Sequence, residues 1–99
     1  MCGITGIHGK ADAAAWAAAR RMTAALAHRG PDAEGHWTND SNIVLGHRRL
    51  SILDTSETAN QPMMSHCGRY VLAFNGEVYN YLELRRELDD YPFKTTGDT

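Results

Sequence analysis

Residues 71–74, Val-Leu-Ala-Phe, form an unbroken apolar run inside an otherwise polar stretch. A strand with one wet face alternates apolar and polar residues, whereas a continuous run belongs to a strand covered on both faces. The chain is therefore expected to build a layered sheet with this segment, Arg69 to Phe74, near its centre. A chain of 99 residues carries few elements with which to cover both faces. It sits at the small end of what folds alone without disulfides or metal. Pro92 to Thr99 reads as the start of another strand with nothing after it to end it. Together these features predict the front part of a larger domain.

The other elements are legible from punctuation. Residues 2–8, CGITGIH, read as a short strand carrying Ile4 and Ile7. Asp12 is placed to cap an alanine-rich helix running to about Ala27, with Trp16, Ala19, Met22 and Leu26 along one face. His28 and Arg29 suit its C-terminal dipole, and Gly30-Pro31 ends it. Residues 35–39 and 42–48 read as two strands around an Asn39-Asp40 turn, with Leu50 to Leu53 a third short segment and 54–68 a polar loop. Asn80-x-x-Glu83 has the form of a capping box for a helix through Leu88, with Tyr81, Leu84 and Leu88 inward. Strands, helix, strands, helix make the fold class α/β or α+β.

Composition narrows the function. A net charge of −2 supplies no basic field for a nucleic-acid backbone, and there is no long apolar run for a membrane. The two cysteines, Cys2 and Cys67, have neither CxxC spacing nor disulfide-scaffold density, which suits a reducing, cytoplasmic setting. His47, His66 and Cys67 match no zinc spacing, so no metal is expected.

Five stretches could carry chemistry. Cys2 reads two ways, as a small buried hydrophobe or as a nucleophile. If Met1 is removed, Cys2 holds a thiol of ordinary pKa about 8.5 next to a free α-amine of about 7.7–8, a nucleophile with its own base. The stretch HRGPDAEG, residues 28–35, is either a helix stop or a fixed loop bracing a neighbouring site. In GHRRLSIL, residues 46–53, strand alternation sends Arg48 and Arg49 to opposite faces, so only one can fork a substrate carboxylate. Arg49 is the choice, because Leu50 to Leu53 would wall the same side. Asn75-Gly76, in FNGEVYN, is either a hairpin turn or a pair of oxyanion donors, the Asn75 amide and the Gly76 N–H. Asp98, in TTGDT, could accept from a substrate ammonium. A thiol, an oxyanion site, a carboxylate clamp and an ammonium acceptor would together act on the side chain of an amino acid.

In this order MCGITGI, HRGPDAEG, GHRRLSIL, NQPM, FNGEVYNYLELRREL and TTGDT resemble the glutaminase domain of the class II glutamine amidotransferases, which are N-terminal-nucleophile hydrolases. The proline of Arg29-Gly30-Pro31-Asp32 and the pairing of GHRRLSIL with NQPM are similar to the branch of the glutamine-hydrolysing asparagine synthetases. The resemblance implies the N-terminal part of an αββα sandwich. It implies that Cys2 attacks the glutamine amide, and that Asn75 and Gly76 hold the oxyanion. Arg49 with Leu50, Ser51, Ile52 and Leu53 would bind the glutamine carboxylate, and Glu77 and Asp98 its amino end. No cofactor is implied in this segment. ATP and Mg2+ are expected in a C-terminal synthetase domain, absent here, that takes the ammonia to an aspartyl acceptor in a full-length homodimer. A relative amidating a sugar or peptide-like acid, and a non-catalytic module, are the alternatives.

Overall fold

The computed structural model describes all residues from Met1 to Thr99. The elements in chain order are β1 (Gly3–His8), α1 (Ala13–Ala25), β2 (Ala33–Thr38), β3 (Ile43–Arg49), a 3-10 turn (Glu57–Ala59), β4 (Met63–Met64), β5 (Val71–Leu72) and α2 (Tyr81–Glu87). The architecture is α+β. No helix is long and apolar enough to cross a membrane.

An antiparallel sheet in the order β1-β3-β2 carries α1 across β1 and β3. Its register pairs Gly3 with Arg48 through His8 with Ile43, and Ala33 with Arg49 through Thr38 with Val44. The β2–β3 turn falls at Asn39-Asp40, as the sequence predicts. The Asn39 carboxamide oxygen accepts the N–H groups of Ser41, Asn42 and Ile43 at 3.1, 3.0 and 3.0 Å. Asp40 has φ 59°, a conformation Asp adopts more readily than most residues.

Helix α1 begins where its cap predicts, with Asp12 Oδ1 accepting from the Ala15 N–H at 2.9 Å. Its inner face differs from the expected stripe. Met22 is 41% exposed, and Thr23 is buried in its place beside Ala19. Hydrophobic periodicity passes over a threonine, yet this one leaves its hydroxyl satisfied. Thr23 Oγ1 donates to the Ala19 carbonyl at 2.8 Å and pairs with Thr5 Oγ1 of β1 at 2.9 Å. Gly46 of β3 makes the contact possible, because a Cβ there would strike both threonine hydroxyls. Thr5 faces α1, so Ile4 beside it faces away and is exposed.

Four further expectations are corrected. Leu50 to Leu53 forms no strand but a bend leading off β3. The Val-Leu-Ala-Phe run forms only a two-residue strand, β5, paired with β4, and Leu72 is 46% exposed rather than covered. Phe74 leaves the ladder because both its backbone groups bond to side chains, those of Gln61 and His47. Residues 92–99 form no strand either. The backbone groups of Thr95 and Thr96 are taken by side chains, with Arg85 donating to the Thr95 carbonyl at 2.6 Å and the Thr96 N–H donating to Asp54 Oδ2 at 2.8 Å. Finally, Asn80 makes no side-chain cap to α2, and Leu84 and Leu88 are exposed. Arg85 is partly buried there instead, its guanidinium 4.4 Å from the centre of the Phe93 ring.

Candidate active site

Strand β1 starts at Gly3 opposite Arg48, which sets Cys2 beside the end of β3. The Cys2 sulfur accepts the Leu50 N–H at 3.3 Å and lies 3.8 Å from the Leu50 carbonyl oxygen. The Cys2 carbonyl accepts from Arg29 Nε at 3.0 Å. The half-buried nucleophile candidate is thus tied on both its side-chain and backbone sides.

The HRGPDAEG loop is a brace rather than a spacer. Besides Arg29, Asp32 Oδ2 accepts the Ser51 N–H at 2.8 Å, and the Asp32 N–H donates to the Arg49 carbonyl at 3.0 Å. Glu34 pairs with Arg48 Nη1 at 2.6 Å, while Arg48 Nε donates to the Gly30 carbonyl at 2.8 Å. Gly30 is buried against β3, where a Cβ would lie 2.6 Å from the Arg49 nitrogen.

Arg48 and Arg49 point to opposite faces, as alternation requires. Arg48 is spent on the brace. The buried Arg49 donates from Nη1 to the Ser56 carbonyl at 2.7 Å and to Asn60 Oδ1 at 2.9 Å, and from Nη2 to the Asp54 carbonyl. These bonds hold the loop after β3 around the guanidinium.

A cavity of about 410 Å3 opens here, within the roughly 300–1,000 Å3 of small-molecule sites. Cys2, Arg49, Leu50, Ile52, Leu53, Asn75, Gly76, Glu77 and Asp98 all line it. Ser51 does not line it; its N–H is turned to Asp32. Of the residues expected to attack, polarise or bind the substrate, only Ser51 lies off this one cavity. Asn75-Gly76 is no hairpin turn, since it follows β5 and leads towards α2. Asp98 Oδ2 accepts the Val78 N–H at 2.8 Å, fastening the 95–99 segment to the turn that carries Glu77.

Three supporting residues were not anticipated. Asp54 bridges two walls, accepting from Ser56 and from the Thr96 N–H. The Ser56 hydroxyl first, then the Thr96 and Ser56 N–H groups, hold its carboxyl well below the usual carboxylate range. His47, only 1% exposed, has Nε2 at 3.1 Å from the Phe74 carbonyl oxygen. Burial lowers its pKa most, the Phe74 bond raises it and the Arg49 charge lowers it, for a net fall below the ordinary imidazole value. Gln61, 6% exposed, accepts the Phe74 N–H at 2.6 Å. His47 and Gln61 stand in GHRRLSIL and NQPM, so their motifs were visible although their task was not. A thiol, a guanidinium, carboxylates and amide donors around one cavity can bind a zwitterionic amino acid and attack a carbonyl on its side chain.

Comparison with known proteins agrees with this chemistry. Residues 1–99 match the family described as glutamine amidotransferase domain, and the chain belongs to that family. Among named relatives, the glutamine-hydrolysing asparagine synthetase 1 of Bacillus subtilis is 41% identical over 105 residues, covering 100% of this chain. The glutamine-hydrolysing asparagine synthetase 1 of Saccharomyces cerevisiae is 41% identical over 80 residues, covering 81% of the chain. Amidase chry2 of Gibberella zeae is 45% identical over 75 residues, covering 75%. The chain spans only 16%, 14% and 11% of the length of these three relatives.

Proposed function

We propose that this chain is a glutaminase unit that hydrolyses glutamine to glutamate and ammonia through Cys2, as the ammonia-supplying part of an asparagine synthetase. The observation that carries this reading is the placement of Cys2, Arg49, Asn75, Gly76 and Asp98 on one cavity.

Glutamine enters with its carboxylate at Arg49 and the Leu50–Leu53 wall, and its ammonium at Glu77 and Asp98. After removal of Met1 the Cys2 α-amine takes the thiol proton, and the thiolate attacks the side-chain amide carbon. The carbon–sulfur bond forms as the carbonyl electrons move to oxygen, where the Asn75 amide and the Gly76 N–H stabilise the charge. Collapse breaks the carbon–nitrogen bond, and the α-ammonium returns the proton so that ammonia leaves. Water then cleaves the thioester, releasing glutamate and restoring the thiol.

In this reading the scaffold is the N-terminal part of an N-terminal-nucleophile hydrolase sandwich. ATP and Mg2+ belong to a separate C-terminal synthetase domain of a cytoplasmic, homodimeric protein. No three His, Cys, Asp or Glu side chains converge here to hold a cation, so no step on this chain is routed through Mg2+. A second reading, with an acceptor other than aspartate, is kept because one relative of 45% identity carries the name amidase and not asparagine synthetase.

The test uses the protein at its full natural length. Intact mass should lack Met1 and gain one adduct from a glutamine-mimicking diazoketone, but not in Cys2→Ala. Glutamine, aspartate and ATP should together yield asparagine. Retained Met1, or no adduct, sinks the glutaminase reading; glutamate without asparagine moves the function to the second reading.

A further inference from the structure

We infer that His47 and Gln61 form a two-sided clamp on the Phe74 peptide groups and act as positioning residues for the oxyanion donors Asn75 and Gly76. The inference rests on the glutaminase reading and deepens it.

Phe74 is the residue just before the two donors, and neither of its backbone groups is paired with a strand. Its N–H donates to Gln61 Oε1 at 2.6 Å and its carbonyl oxygen accepts from His47 Nε2 at 3.1 Å. The two clamping side chains are 6% and 1% exposed and come from different segments, the loop after β3 and β3 itself. Bonds at both ends fix the rotation of the peptide units on either side of Phe74, and so the direction in which Asn75 and Gly76 set out.

The chemistry of His47 fits holding rather than proton transfer. In the neutral ring, donation from Nε2 leaves Nδ1 unprotonated, and Nδ1 is buried without a partner. His47 does not line the cavity, and the Cys2 sulfur is contacted by Leu50 instead. Oxyanion donors act at about 2.7–3.1 Å from a charge present only in the transition state. Their displacement therefore slows turnover without weakening substrate binding.

The experiment compares His47→Phe and Gln61→Met with wild type at full natural length, measuring glutamate release. Each should lower kcat about 10- to 100-fold, the scale of a misplacement near 1 Å, with KM within about twofold. Alkylation of Cys2 by iodoacetamide should keep its wild-type rate, which a general loosening of the fold would change. Gln61→Glu, keeping the acceptor, and His47→Gln, keeping a donor near the Nε2 position, should recover most of kcat. If the apolar variants do not fold, His47→Gln against His47→Asn makes the same comparison, the shorter amide falling short of Phe74. A raised KM at unchanged kcat, or no recovery by the conservative variants, overturns the clamp while leaving the glutaminase reading intact. A wild-type protein that releases no glutamate overturns both.

Discussion

The Cys2 sulfur accepts a hydrogen bond from the Leu50 backbone N–H at 3.3 Å, so the nucleophile candidate is held by the same segment that walls the cavity. Cys2→Ala should reduce glutamate release by more than about 10,000-fold. Because the thiol is only half-buried, the variant should unfold in urea within about 1 kcal/mol of wild type.

Asn75→Ala removes one of the two proposed oxyanion donors. Steady-state kinetics should show kcat down about 100- to 1,000-fold with little change in KM. A rise in KM alone would reassign Asn75 to ground-state binding.

Arg49 has two tasks, and they separate by measurement. Its fork bonds to the carbonyls of Asp54 and Ser56 and to Asn60, which a lysine cannot reproduce together. Arg49→Lys should cost about 1–3 kcal/mol in urea denaturation, from carbonyls left unpaired. In whatever fraction stays folded, KM for glutamine should rise, since the carboxylate loses its bidentate partner.

Gly30 lies too close to the β3 backbone for any side chain. Gly30→Ala should destabilise the fold by about 1–3 kcal/mol in thermal or urea melts. It should also weaken the Arg29 bond to the Cys2 carbonyl, lowering activity beyond the stability loss.

His47 gives a pH dependence of definite sign. Its pKa is lower folded than unfolded, so between the two values the unfolded chain binds more protons. Stability should be fully present above the ordinary imidazole value of about 6.5 and fall as pH drops below it. His47→Gln should flatten that slope. Asp54, depressed in the fold, adds a second loss only below the ordinary Asp value of about 3.9, which Asp54→Asn should remove. Urea titrations at a series of pH values check both.

The elements legible in the sequence were those with local causes. Asp12 caps α1 because its side chain reaches its own backbone three residues on, and Asn39-Asp40 turns the β2–β3 hairpin for the same kind of reason. Alternation alone separated Arg48 from Arg49. What the sequence concealed depends on partners far along the chain. Thr23 is buried because Thr5 meets it and Gly46 makes room. The Val-Leu-Ala-Phe run is a strand only through Leu72, and at Phe74 it cannot rejoin a ladder because His47 and Gln61, 27 and 13 residues earlier, take its backbone. Polar side chains that serve backbone groups leave no periodic trace, which is why Asp54 and Gln61 went unread although both line the cavity, and His47 behind it likewise.

The start of the chain is tethered by Arg29 and by Leu50, with Met1 itself on the cavity wall. Anything joined ahead of Cys2 would therefore emerge into the very space a ligand would occupy. A purification tag is usually placed at a terminus because termini are loose and harmless; here an amino-terminal tag would behave as a plug, and a fusion partner belongs elsewhere.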